Sequence, residues 1–129
     1  MIRTLLVLMA LQGAHAMADA RTFIVQFTNA EKEVIITDEY DRTLYVFDND
    51  LKQKTSMCNA NCAETWPPYI VTAAEATTLK APLGVLARAN KSLQLTYMGR
   101  PLYLYAFDRV VGNDTGDGIG GVWHYIEIK

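Results

Sequence analysis

Histidine and cysteine are scarce in this chain of 129 residues, and the scarcity narrows its chemistry. The two histidines are His15 and His124, and the two cysteines are Cys58 and Cys62. No Gly-x-Ser-x-Gly elbow occurs, so hydrolytic catalysis by an activated nucleophile has few residues to draw on. Basic residues are not in excess either: 12 Lys and Arg against 14 Asp and Glu give a formal charge of −2. Nucleic acid is therefore not expected as a partner, because phosphate binding needs a basic surface. No apolar run reaches the roughly 20 residues of a membrane-spanning helix. What the chain does have is 50% hydrophobic residues, enough for the core of one domain of this length.

The amino terminus reads as a leader rather than as part of that core. Arg3 supplies a positive charge, Thr4 to Leu11 is an apolar run, and Ala14-His15-Ala16 is a small-x-small cleavage site. Residues 1–16 are expected to be a signal peptide cut after Ala16, with Ala20 as the second choice and an uncleaved anchor as the weaker alternative. Their removal takes away Arg3 alone among the charged residues, leaving 11 basic against 14 acidic and a charge of about −3. Neither cysteine lies at the end of the apolar run, where a lipid-accepting cysteine would sit. The expected location is periplasmic or secreted, with no membrane span after cleavage.

One stretch is written twice. Arg42-Thr43-Leu44-Tyr45-Val46-Phe47-Asp48-Asn49-Asp50 returns 58 residues later as Arg100-Pro101-Leu102-Tyr103-Leu104-Tyr105-Ala106-Phe107-Asp108, and a tryptophan follows each copy, Trp66 and Trp123. Self-similarity at one offset points to a supersecondary unit used twice, each half too small to bury its own apolar face. Around the copies, Thr22–Thr28, Glu33–Thr37, Val85–Arg88, Leu93–Tyr97 and Val122–Ile128 are short β-branched or aromatic runs separated by polar turns. Alternation within the first copy puts Leu44 and Val46 on one face and Tyr45 and Phe47 on the other, so one side is aliphatic and the other aromatic. Met98-Gly99 makes a tight hairpin connection, and Pro101, without an amide proton, belongs at a strand edge or start. The expected fold is all-β or mostly β. It is a small single domain over residues 17–129, with two repeat units at about 37–68 and 95–125 and at most one or two short helices near Cys62 or Ala73.

Cys58 and Cys62, four apart, are close enough to bridge on one helical turn, and in an oxidising compartment a structural disulfide is the favoured reading. A thiol-exchange site and a copper site helped by Met57 are the alternatives. The glycine-rich segment Gly112–Gly121 invites a calcium reading through Asn113, Thr115 and Asp117-Gly118. An EF-hand loop would begin on Asp and end on a bidentate Glu, and it fails here at both, since His124 stands at the twelfth position. An irregular oxygen site using Asp114 and Asp117 stays open beside a glycine-tight loop whose polar side chains bond their own backbone. Asp50 and Asp108 are more readily turn caps than a paired acid and base.

Tyr45-x-Phe47-x-x-Asp50 and Tyr103-x-Tyr105-x-x-Asp108 resemble the motif of the bacterial secreted-repeat family, predicted lipoproteins with a Tyr-x-(Phe/Trp/Tyr)-x-x-Asp motif. Cys58-x-x-x-Cys62, Trp66-Pro67-Pro68, Leu95-Thr96-Tyr97, Gly99-x-Pro101-Leu102-Tyr103 and Gly116-Asp117-Gly118-x-Gly120-Gly121-Val122-Trp123-His124 are similar to what its members carry. The resemblance implies export to the bacterial envelope and a repeat unit; the family as a whole carries no established activity. Two departures stand out, the missing lipid-accepting cysteine and Met98 where a turn-forming asparagine is expected. The motif residues Tyr45, Phe47, Asp50, Trp66, Tyr103, Tyr105, Asp108 and Trp123 are then structural or binding residues of a non-catalytic module. Its partner is a small ligand, an envelope polymer or an envelope protein, and no cofactor is expected beyond the open calcium or other metal site. The alternative is a periplasmic metal-handling or redox accessory using Met57, Met98, His124 or the acidic loop.

Overall fold

The computed structural model describes residues 21–53 and 55–129. The leader read in residues 1–16, its cleavage positions at Ala16 and Ala20, and the expected domain start at residue 17 lie outside the described residues.

Among the described residues nine short strands carry the fold: β1 (Ile24–Thr28), β2 (Val34–Asp38), β3 (Tyr45–Phe47), β4 (Ile70–Val71), β5 (Leu83–Ala87), β6 (Leu93–Tyr97), β7 (Arg100–Pro101), β8 (Trp123–Tyr125) and β9 (Glu127–Ile128). β1, β2 and β9 form one antiparallel sheet, β3 and β8 a second, and β4, β6 and β5 a third in which β7 also pairs β6. Because β5 pairs all five residues of β6, β4 and β7 share the other side of β6.

The fold is mostly β, as the alternation of β-branched residues requires. Three short helices accompany it among the described residues: α1 (Asn49–Gln53), α2 (Asn61–Thr65) and α3 (Ala73–Ala76), besides a 3-10 turn at Ile119–Gly121. α2 and α3 sit near Cys62 and at Ala73, as expected. α1 is one more than the sequence suggested, in a stretch whose polarity reads as loop. Its cause is tertiary: the Asp50 side chain is 3% exposed and bonded to the far half of the chain, which fixes a helical turn that propensity alone does not demand. α3 opens on a capping box, Thr72 and Glu75 each accepting the other's backbone N–H.

The repeat is longer in space than in sequence. Hairpin β1–β2 and hairpin β5–β6 are paired in the same register, with Ile24 opposite Asp38 and Leu83 opposite Tyr97, and their bends carry left-handed lysines at Lys32 and Lys91. The two halves meet where Tyr45 and Tyr103 exchange backbone hydrogen bonds, N to O at 2.8 Å and 2.9 Å, a reciprocal bridge on a pseudo-twofold axis. The strands around that axis separate two cores. Leu44, Val46, Leu95 and Leu102 pack with Phe23, Ile36, Tyr69 and Val71 on one side. Tyr45, Phe47, Trp66, Tyr103 and Trp123 pack with Cys58 on the other. The aliphatic and aromatic faces written into the first copy thus become two cores, and the strand is covered on both sides.

Candidate functional site

The aromatic core is built from pairs of equivalent residues. Phe47, Trp123, Trp66 and Tyr105 form a column of stacked rings with centroid spacings of 4.1, 3.9 and 4.2 Å, and the two indoles are within 1° of parallel. Tyr45 and Tyr103 stand edge-on to it, at 5.3 Å from Trp66 and 5.1 Å from Trp123. Such stacked and edge-to-face contacts satisfy the ring quadrupoles in a dry interior.

Each tyrosine hydroxyl reaches the aspartate of the other copy. Tyr45 donates to Asp108 at 2.5 Å, and Tyr103 donates to Asp50 at 2.8 Å. The second oxygen of each carboxylate then accepts a backbone N–H seven residues further on, Asp50 from Met57 at 2.7 Å and Asp108 from Thr115 at 3.0 Å. Each carboxylate therefore clamps its own loop while holding the partner half's tyrosine. Burial pushes both phenols up, Tyr103 to about 12 and Tyr45 further, with the facing carboxylates adding to the shift. Asp50 is also raised, chiefly by burial.

The two loops are finished differently. In the first, Cys58 and Cys62 form a disulfide with their α-carbons 5.2 Å apart, and Ser56 bonds the Tyr103 hydroxyl at 2.6 Å. Arg88 anchors this loop by donating to Ser56, the Cys58 carbonyl and Asn59. In the second, the Gly116 N–H donates to the Tyr45 hydroxyl at 3.1 Å, and a β-carbon on Gly116 would lie 2.7 Å from the Trp66 ring. Of the acidic pair considered for calcium, Asp114 accepts from Asn29 and Asp117 from the Tyr125 backbone N–H. Among the described residues no three His, Cys, Asp or Glu converge as a metal-ligand set.

Two clefts flank this centre at equivalent places. The larger, of about 330 Å³, lies between α1 and the β6–β7 hairpin and is lined by Asp50, Leu51, Leu86, Met98, Arg100 and Pro101. The smaller, of about 200 Å³, is lined by Asp108, Arg42, Thr43, Leu104 and Tyr105. Their arginines differ. Arg42 is held by Asp38, with Nε and Nη2 both 2.7 Å from one carboxylate oxygen. Tyr97, the counterpart of Asp38 in the hairpin register, carries no carboxylate, so Arg100 turns instead to Asp48 at 3.2 Å and its buried Nε is left without a partner. Asp48 also takes His124 Nε2 at 2.9 Å. Burial raises the Asp48 carboxyl, but its bonds from His124 and Arg100 outweigh that and hold it below the ordinary range.

A family model described as a secreted repeat of unknown function matches residues 30–69 and 84–127, each window holding one copy of the motif. The chain belongs to this family. Comparison with curated proteins and with solved structures finds no match. In this secreted repeat no described helix is long and apolar enough to cross a membrane. All eight motif residues come together at one centre, with the disulfide on its flank, while Asp114 and Asp117 lie in the loop that Asp108 clamps. Sequence reasoning missed Ser56, Arg88 and the cleft role of Arg100. The recurrence of Arg42 as Arg100 was a usable signal; nothing in the sequence marked Ser56 or Arg88.

Proposed function

We propose that this secreted repeat is an exported, non-catalytic binding module of the bacterial envelope, whose ligand site is the cleft between α1 and the β6–β7 hairpin. The observation that carries this reading is Met98. It occupies a two-residue turn in which both central positions have positive φ, 51° at Met98 and 82° at Gly99. A side chain in that region costs about 1–2 kcal/mol, which Gly avoids and Asn partly offsets by local hydrogen bonding. Yet Met98 is 71% exposed, so it recovers little of that cost by burial in the free protein. Together with Leu51, 56% exposed on the facing wall, it rims an apolar cleft behind which Arg100 carries an unused donor. Strain with no folded-state return is supportive of a binding role. A flexible thioether is suited to closing over an apolar group. The tyrosines and aspartates of the motif spend their hydrogen bonds on each other and on the loops, which favours scaffold over catalysis for them.

The test uses one substitution with opposite expected effects. Met98→Gly should leave the fold as stable or raise it by about 1 kcal/mol, while weakening every ligand that a thermal-shift screen of short amphiphiles, apolar peptides and soluble glycan fragments finds for the parent protein. A screen without a single hit, or hits bound equally by both proteins, sinks the cleft as the site. Stoichiometric metal in the purified protein would instead favour the metal-handling alternative.

A further inference from the structure

Strand β5 has one side bonded to β6 and, among the described residues, no strand on the other. Pro82 O accepts from Met98 N at 2.8 Å and Arg88 N donates to Ser92 O at 2.9 Å. Antiparallel alternation therefore turns the backbone groups of Leu83, Val85 and Ala87 outward, the Leu83 N–H alone being taken, by the Lys80 carbonyl. Native proteins blunt such edges with charge, proline or a bulge. β5 reads Leu83-Gly84-Val85-Leu86-Ala87, with none of these.

We infer that β5 pairs with β5 of a second copy of this chain, antiparallel and centred on Val85. About that centre the strand complements itself. Val85 faces Val85 of the partner subunit and the two exchange both backbone bonds, while the Ala87 N–H reaches the carbonyl of the partner's Leu83. On one face each Leu83 lies beside an alanine, and on the other each Leu86 lies beside a glycine, so both leucines meet small residues and only the two valines meet like against like. Flanking charges do not collide, since Lys80 falls opposite the partner's Asn90 and Arg88 opposite the partner's Pro82. Val85, 39% exposed, is covered in the pair. A twofold interface of this kind closes on itself and gives a dimer rather than a fibre. The equivalent edge, β1, lacks the property: centred on Gln26 it sets Val25 against Phe27, large against large.

Sedimentation equilibrium of the mature chain is expected to give twice the chain mass, falling to one chain on dilution and in Val85→Lys, which places two ammonium groups across the axis. Val85→Cys is expected to form a covalent dimer under mild oxidation, since facing α-carbons in such a pair are about 5.5 Å apart, within disulfide reach. Gln26→Cys is expected to stay monomeric on the same gel. A single-chain mass at every concentration from micromolar to millimolar, or equal cross-linking at 26 and 85, overturns the proposal. The cross-linking pair decides the matter even if Val85→Lys fails to fold.

Discussion

The two halves of the molecule solve the same problem with different materials. In both, a carboxylate seven residues before a loop backbone N–H clamps that loop and takes the hydroxyl of the opposite tyrosine. The first loop is then closed covalently, by Cys58 and Cys62, and guarded by Arg88. At the offset of Cys58 the second half has Gly116, pressed so close to Trp66 that no side chain fits. Duplication kept the hydrogen-bond logic, which depends on charge and geometry at a few atoms, and released the means of stiffening, for which any local constraint serves.

The tyrosines give the largest effects. Tyr45→Ala and Tyr103→Ala each remove a fully buried aromatic and should each cost about 3–5 kcal/mol in denaturant unfolding. The Phe variants sharpen the contrast. Tyr103→Phe leaves a carboxylate that is 3% exposed short of a donor and should cost about 2–3 kcal/mol. Tyr45→Phe strips Asp108, which is partly solvated and retains Thr115, and leaves the Gly116 N–H unpaired, and should cost about 1–2 kcal/mol. Equal losses for the two Phe variants would show that burial of the carboxylate does not set the difference.

Gly116→Ala should cost about 1–3 kcal/mol, because the ring it meets is locked in the stacked column. Near-wild-type melting would mean that the second loop is softer than the first. Replacing both cysteines by serine should cost about 2 kcal/mol, the low end for disulfides, since the closed loop is very short. A larger loss would make the covalent half the stiffer one. The last expected effect is a pH dependence. A phenol whose folded pKa lies above its unfolded value of about 10 adds stability that is intact below pH 10 and is lost as pH rises through the folded value, about 12 for Tyr103. Alkaline unfolding should therefore accompany phenolate absorbance from the core, and in Tyr103→Phe the melting temperature should depend less steeply on pH above 10.

Strand positions, the β6–β7 hairpin and the two-faced first copy were legible in the sequence because period-two alternation and turn chemistry are local. The disulfide was legible as one of three readings, from spacing and expected compartment. A short helix near Ala73 was legible, while sequence reasoning missed the Thr72 and Glu75 capping box that starts it. The exchange of tyrosine and aspartate between copies was not legible, since a repeat shows which residues are equivalent and not which of them touch. Nor was the inclusion of β1 and β5: Ile-Val-Gln-Phe-Thr and Leu-Gly-Val-Leu-Ala share a pattern of burial and almost no identity. Met98 was visible as a departure from expected turn chemistry, and its meaning came only with the cleft beneath it.

The exchange of tyrosine and aspartate between the copies also sets the order in which the chain can mature. Tyr45 waits for an aspartate 63 residues downstream, and Tyr103 reaches back 53 residues to Asp50. A chain that emerges amino terminus first therefore cannot close its centre until Asp108 has appeared, by which point most of its length is already outside. Closing such long loops before any reward is collected slows the search for the native state. An isolated amino-terminal half would carry Tyr45 with no acceptor and Asp50 with no tyrosine. Neither half is a smaller version of the protein; each is an incomplete one, open to proteases until the other arrives.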